Sequence, residues 1–294
     1  MHKEVLQLLA CPICRTQMVF DGEAADNRFV NGYLKCAGGH LYQVKEELGL
    51  VKDAKLSAKE FEWKVDVADE RKYDEIQRQY ASYLSDDLKI ALNNLIEKLV
   101  RSVIHSCRGD DNVVLDVASG MGRLILELAR KIPEKTIVIG TDVSEKPLRG
   151  AMNKAKKATV YQKLSFIVTD AKRLAFKNEA LSTISSNFGF DNIPETILAL
   201  KETFRVLKPA GKAIFSSIWL RENSKSIKLA EKYGVGQIAS ENRLKKSLEK
   251  IGFKLDWIEE IYSGVWPYNP MDLLPVQGDE FSHVIVQISK PKNA

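Results

Sequence analysis

Residues 113–124 read Val-Val-Leu-Asp-Val-Ala-Ser-Gly-Met-Gly-Arg-Leu, and no other stretch limits the possible folds so tightly. Val113, Val114 and Leu115 form an apolar run, as a strand covered on both faces requires. Asp116 ends that run. Gly120 and Gly122 permit tight, partly left-handed backbone and close approach to a ligand. Leu124, Ile125, Leu128 and Ala129 then recur at helical spacing. A buried strand, a glycine turn and a helix start are the opening of a ligand-binding α/β unit. Two phosphate-binding patterns share this outline, and neither fits. The dinucleotide fingerprint would need a glycine where Ile125 stands, and the Walker pattern would need Gly-Lys-Ser/Thr after the turn.

The stretches that follow keep the alternation going. Residues 136–140 are a second β-branched run, with Asp142 just past its end. In a parallel sheet ligands bind beyond the carboxyl ends of the strands. An acid there, about twenty residues after the glycine turn, is placed to accept hydrogen bonds from a ribose diol. A basic helix is expected over 148–157. A third strand over 164–168 leads to Asp170 and Ala171, and a fourth over 181–187 leads to Phe188. Pro194 opens a helix reaching about residue 204, and a strand over 213–219 follows the turn at 205–211. Residues 241–251 form the last strong helix. Residues 254–261 and 281–289 alternate apolar and polar positions, as an antiparallel pair does.

The pattern Asp116-x-x-x-Gly120-x-Gly122 resembles the first motif of class I S-adenosylmethionine (SAM) methyltransferases. The resemblance implies a Rossmann-like α/β fold with a seven-stranded sheet and a reversed final hairpin. It implies that Asp116, Ala118, Gly120 and Gly122 line the amino-acid head of SAM. Amides at a helix start take a carboxylate, and Asp116 lies near the ammonium group. It further implies that Asp142 and Val143 meet the ribose side, Asp170 and Ala171 the adenine, and Asn187 the methyl-bearing end. A solvent-facing turn aspartate is the plainer reading of Asp170. The run Phe188-Gly189-x-x-Asn192-Ile193 is similar to the loop after the fourth strand in ubiquinone and menaquinone methyltransferases. It makes Phe188 and Asn192 candidate acceptor contacts. The turn Arg205-Val-Leu-Lys-Pro-Ala-Gly211 matches the methyltransferase family too, in a structural role. Asn187 also invites comparison with the Asn-Pro-Pro-Tyr loop of amino-group methyltransferases, but the prolines are missing.

Ahead of this core lies a different kind of segment. Cys11-Pro-Ile-Cys14 is followed by Cys36-Ala-Gly-Gly-His40. Two such pairs can close one tetrahedral zinc, with all four positions filled by protein, as in structural sites. A redox Cys-x-x-Cys is the rival reading, and its thioredoxin-like context is absent. Together with the tail Lys45-Glu46-x-Leu48-Gly49-Leu50-Val51, the cluster resembles the zinc ribbon of bacterial rRNA guanine-N1 methyltransferases. That resemblance implies an RNA-holding module.

Three segments are therefore expected: a zinc ribbon over 1–51, a linker with capping helices over 52–108, and the methyltransferase domain over 109–294. Residues 52–69 read as a polar linker containing Phe61 and Trp63. Tyr73, Ile76, Tyr80 and Tyr83 recur at helical spacing. Tyr80 is the candidate to reach the acceptor pocket; half-buried packing explains it equally. Ser85 caps a longer helix to about residue 106, with Leu88, Leu92, Leu95, Leu99 and Val103 as its apolar stripe. The segment 109–112, Gly-Asp-Asp-Asn, ends it.

At 294 residues the chain has room for a large core plus an appendage. No apolar run is long enough to span a bilayer, and the N-terminal residues lack a secretory pattern. With four cysteines, two of them in a Cys-x-x-Cys, a cytoplasmic protein is expected. The net charge of +5 comes from scattered lysines and permits nucleic-acid contact without demanding it. The leading expectation is methyl transfer from SAM to an RNA base, by direct displacement. The alternative is a small quinone-like or other aromatic acceptor. A third reading is a SAM-binding scaffold without activity.

Overall fold

A computed structural model describes residues 1–53, 70–107 and 113–293, with side chains of the second segment from residue 75 onward. Most of the expected linker and the 109–112 break lie outside the described residues. A 3-10 turn at Lys3–Leu8 precedes four short strands, β1 (Met18–Ala25), β2 (Arg28–Cys36), β3 (Leu41–Lys45) and β4 (Leu48–Leu50). Helices α1 (Glu70–Ser82) and α2 (Asp86–Ser106) follow. The alternating part then runs β5 (Val113–Val117), α3 (Arg123–Lys131), β6 (Ile137–Asp142), α4 (Glu145–Lys157), β7 (Leu164–Val168), β8 (Leu181–Asn187) and α5 (Thr196–Val206). It ends with β9 (Leu207–Leu220), α6 (Lys225–Lys232), α7 (Glu241–Ile251), β10 (Lys254–Val265) and β11 (Glu280–Ser289).

Seven strands stand in the order β7-β6-β5-β8-β9-β11-β10. The first five are parallel: Leu115 pairs Ile139, Ile139 pairs Ser165, and Ser186 pairs Phe215. β11 runs antiparallel to both of its neighbours, so the expected reversed hairpin is present. This is the Rossmann-like methyltransferase sheet. The order turns back beside β5, and in such sheets that is where a crevice opens at the strand ends.

The N-terminal strands do not hang apart from this sheet. β1 to β4 form an antiparallel meander, and β4 then pairs in parallel with β7, Gly49 opposite Ile167. One sheet of eleven strands results. The apolar side chains agree. Val5, Leu9, Met18, Leu34 and Val44 share one buried cluster with Leu115, Ile139, Phe176, Leu200 and Phe215. On the opposite face Leu95, Leu99 and Val103 of α2 join Leu124 and Leu128 of α3 against Val114, Val138, Phe166 and Ile214. The neighbours Val114/Leu115 and Ile214/Phe215 thus part to opposite faces, as a pleated strand dictates. Each such Leu or Val is worth roughly 1.5–3 kcal/mol when taken out of water. The Ser85 hydroxyl accepts the Leu88 amide at 3.3 Å and fixes where α2 begins.

Several elements differ from the expectation: β6 includes Asp142 as its last residue, α4 starts at Glu145 and β10 runs on to Val265. α5 starts at Thr196, because Glu195 stands in a left-handed conformation (φ +58°) just after Pro194. β9 starts at Leu207, upstream of 213. Of the expected 205–211 turn, Arg205 and Val206 end α5 and 207–211 open β9 irregularly, with Ala210 at φ +64° donating its amide to Lys290 O. α6 was not expected at all; it is short and lysine-rich, and Ser224 caps it. Among the described residues no helix is long and apolar enough to cross a membrane.

Candidate cofactor and acceptor site

The glycine turn sits at the carboxyl end of β5. Ala118, Gly120 and Gly122 all take left-handed φ, of 55°, 51° and 83°. At Gly122 a Cβ would lie 2.7 Å from the Ala151 Cβ, so α4 packs against the turn only because that side chain is missing. The floor is tied to its neighbours. Ser119 Oγ and Thr141 Oγ1 both donate to Asp116 O, at 3.1 and 2.7 Å. The Asp116 side chain is buried and faces β8, where Ser185 Oγ donates to its Oδ1 at 2.7 Å. Burial pushes its pKa up to about 7, with the Ser119 and Ser185 hydroxyls pulling the other way. The Asp116 carboxyl therefore serves the sheet beneath the turn.

Asp142 is one strand away. Its Oδ2 accepts the Gly120 amide and its Oδ1 the Ser144 amide, both at 2.9 Å. Burial raises its pKa, while those amides and the Val143 amide and then the Lys52 charge hold it down. With three amides on its two oxygens, the carboxylate keeps one acceptor position for a ligand hydroxyl. Val143 follows with its carbonyl bonded to Lys52 Nζ at 3.1 Å. Asp170, past β7, is buried and caps the next turn by accepting the Lys172 amide at 2.8 Å, with Ala171 half-buried beside it. Thr169, whose amide bonds to Asp142 O, has a buried hydroxyl with no partner. A polar group left so is costly, and a ligand at this point relieves it. A glycine turn that lets a ligand approach the backbone closely, a carboxylate with an acceptor position left and an orphaned hydroxyl, all at one end of the sheet, fit the head, ribose and base of SAM.

The loop after β8 faces the same end of the sheet. Phe188 has φ +54°, a strain of about 1–3 kcal/mol that must be held in place. Ser216 Oγ accepts the Phe188 amide at 2.9 Å and donates to Asn187 Oδ1 at 3.0 Å, and Asn192 Nδ2 donates to Phe188 O at 2.8 Å. Asn187, Phe188 and Asn192 are thus brought together as one braced loop. Gly189 makes the brace possible: a Cβ there would lie 2.4 Å from Ser186 Oγ and 2.7 Å from the Ala118 Cβ. Asp191 points back onto β9, accepting from Ser217 Oγ at 2.7 Å and the Ile218 amide at 3.0 Å. Loss of water around it raises its pKa to about 7.

Next to Phe188 stands a residue that no motif marked. His283 on β11 is 1% exposed, and its ring lies 5.1 Å from Phe188 and 5.0 Å from Phe281. Tyr262 and Trp266 complete the collar at 6.4 Å each. Nδ1 of His283 is buried without a partner, as are the indole nitrogens of Trp219 and Trp266. Burial lowers the imidazole pKa to about 4, so the ring is neutral at physiological pH. Tyr80 reaches this region from α1 and donates its hydroxyl to Asp272 in the loop between β10 and β11. It packs with Trp266, Phe281 and Leu88 in one apolar cluster.

The cysteine pairs also converge. The ligand atoms of Cys11, Cys14, Cys36 and His40 all lie within 4.8 Å of one another. Neighbouring atoms are 3.3–3.6 Å apart, close to the edge of about 3.8 Å that a tetrahedron of Zn–S bonds has. Hydrogen bonds from Thr16, and a lesser one from Cys36, pull the Cys14 thiol down to about 5, toward the thiolate a metal needs. The donor set is that of a closed Cys3His zinc site.

The sequence pattern of the ubiE/COQ5 methyltransferase family matches residues 66–232. This chain belongs to that family. Among similar proteins is the ubiquinone/menaquinone biosynthesis C-methyltransferase UbiE of Rickettsia prowazekii (strain Madrid E), 38% identical over 104 residues. The same enzyme of Rickettsia felis is 39% identical over 104 residues. Each match covers 34% of this chain and 42% of the relative, so the chain spans under half the length of these relatives. Solved structures share the fold. The geranyl diphosphate C-methyltransferase of Streptomyces coelicolor A3(2) has a TM-score of 0.52 at 14% identity, covering 67% of this chain and 81% of its own. The (4+2)-cyclase SpnF has a TM-score of 0.54 at 20% identity, covering 66% and 80%. Membership of the ubiE/COQ5 family, with the turn and acid described above, supports SAM as the ligand. The family match ends at residue 232, so His283 and, of its collar, Tyr262, Trp266 and Phe281 lie beyond it, while Phe188 lies within.

Proposed function

We propose that this chain is a SAM-dependent methyltransferase whose acceptor is a small hydroxylated aromatic, quinone-like in shape. The observation that carries the acceptor reading is His283, neutral and buried among four aromatic rings beside the loop after β8. A flat aromatic acceptor gains stacking area from Phe188, Tyr262, Trp266 and Phe281. Its hydroxyl meets His283 Nδ1, a buried ring nitrogen that lacks a partner. The names of the Rickettsia relatives point to the same class of acceptor.

The Gly120 and Gly122 turn receives the carboxylate of the amino-acid head, Asp142 the ribose diol, and Asp170 the adenine edge. Val143 and Ala171 border the base, and Asn187 and Phe188 border the reacting end. Asp116 keeps the turn in register through Ser185. When bound, SAM would supply a methyl carbon on a sulfonium, the S–CH3 electron pair staying with sulfur when the acceptor takes the methyl. His283 Nδ1 takes the proton that the acceptor hydroxyl gives up. Alignment within a dry collar provides much of the rate.

A structural zinc on Cys11, Cys14, Cys36 and His40 belongs to the same proposal, with residues 1–51 as its ribbon, 52–108 as connector and 109–294 as the methyltransferase domain. An RNA base is the competing acceptor, on the strength of the ribbon's spacing alone. The test is direct: purified protein, SAM and 1,4-naphthohydroquinone are combined and S-adenosylhomocysteine (SAH) is measured. SAH formed only with the hydroquinone present supports the reading. SAH formed with RNA instead would refute the acceptor assignment.

A further inference from the structure

Both ends of the metal ribbon are fastened to the stretch that carries Asp170. At the exit, β4 pairs with β7 and the Val51 amide donates to Val168 O at 2.8 Å. Lys52 Nζ then donates to Val143 O at 3.1 Å, and its charge acts on Asp142. Asp53 pairs with Arg173 at 3.8 Å. At the cysteine knuckle, the Ala10 amide donates to Ala175 O at 3.1 Å and the Lys177 amide to Leu8 O at 2.9 Å. Arg15, the residue after Cys14, donates to Leu174 O at 2.9 Å and pairs with Glu202 at 3.1 Å. Arg173 reaches back to Ile13 O at 3.4 Å. Residues 168–177 are therefore held from two sides by one small module.

We infer that the ribbon is a working part of the cofactor site: Lys52 positions Asp142 and Val143 for the nucleoside, and metal at the knuckle holds the Asp170 turn in its binding geometry. The inference rests on the cofactor reading above. It assigns the ribbon a task that needs no RNA. A cation beside a buried carboxylate favours its ionised form, the form that accepts a ribose hydroxyl. A knuckle ordered by four ligands presents Arg15 and the Ile13 carbonyl in fixed positions, and loss of the ligated ion releases both. Metal and nucleoside then share a coupling free energy, and linkage requires it to act equally in both directions.

SAH affinity of the full-length chain, measured by calorimetry, tests this. The zinc-loaded protein is compared with chelator-stripped protein and with three zinc-loaded variants whose metal content is checked. Lys52→Gln is expected to weaken SAH roughly tenfold, the order of one charge-assisted hydrogen bond, while Lys52→Arg restores most of it. Arg15→Ala weakens SAH by roughly fivefold to tenfold at unchanged zinc content, on the same scale. Stripping zinc weakens it at least as much, and saturating SAH makes the zinc harder to chelate by the same factor. Should the stripped chain unfold, zinc-loaded Lys52→Gln and Arg15→Ala decide. Wild-type SAH binding that neither Lys52→Gln nor Arg15→Ala changes would overturn this inference alone. A wild-type protein that does not bind SAH would overturn the cofactor reading, and this with it.

Discussion

Gly120 donates its amide to Asp142 Oδ2 over 2.9 Å, so the turn after β5 and the acid after β6 form one unit. The bond fixes the carboxylate before any ligand arrives. Asp142→Asn keeps the shape but places an amide hydrogen against either the Gly120 or the Ser144 donor. Calorimetry with SAH is expected to show affinity at least about tenfold weaker, with thermal stability reduced as well. Equal affinity in variant and wild type would remove Asp142 from the nucleoside site.

Gly189→Ala tests the brace behind Phe188. The new methyl would lie 2.4 Å from Ser186 Oγ and 2.8 Å from Val117 O, and backbone cannot move aside cheaply. Overpacking of this kind costs about 1–3 kcal/mol. Urea unfolding is expected to show that loss, and methyl transfer to fall further than SAH affinity does. A variant as stable as wild type would mean that the two loops do not touch as described.

His283→Phe separates function from packing. The substitution removes a buried nitrogen without a partner, so stability is expected to hold or to rise by about 1 kcal/mol. SAH binding stays unchanged, and transfer to a hydroxylated aromatic is lost. Full transfer activity in this variant would exclude His283 as the group that receives the acceptor proton.

Two buried groups give the stability opposite slopes with pH. Asp116 rises from 3.8 to about 7 on folding, so between those values the native state holds more protons than the unfolded chain. Its contribution is present below pH 4 and is lost as pH climbs to 7. His283 drops from 6.5 to about 4, so the unfolded chain takes up its proton first and that contribution is lost as pH falls through the same range. Chemical denaturation from pH 4 to pH 8 is expected to show Asp116→Asn gaining on wild type as pH rises, by on the order of a few kcal/mol. His283→Phe should gain as pH falls. A pH-independent difference for either variant would contradict its assigned burial.

The sequence carried the parallel core well, because its strands are continuous apolar runs and its turn is rich in glycine. Asp116, Gly120, Gly122 and Asp142 all lie toward one end of the sheet, on or just past β5 and β6, for that reason. The Cys11, Cys14, Cys36 and His40 cluster was legible too, since the spacing within each pair is local. Three features were hidden because they depend on contacts between distant parts of the chain. The orientation of Asp116 toward Ser185 is set by a hydrogen bond across 69 positions. The fusion of β4 with β7 rests on a three-residue strand, too short for any alternation to register. His283 lies in an ordinary alternating strand, and only the rings gathered around it distinguish it.

The most direct test follows the methyl group itself. Protein is incubated with SAM labelled on the methyl carbon and with cell extract divided into RNA, protein and organic-soluble fractions. The account requires the label in an organic-soluble aromatic product, and its loss in the His283→Phe variant. Label in RNA, or label that His283→Phe leaves untouched, would contradict it.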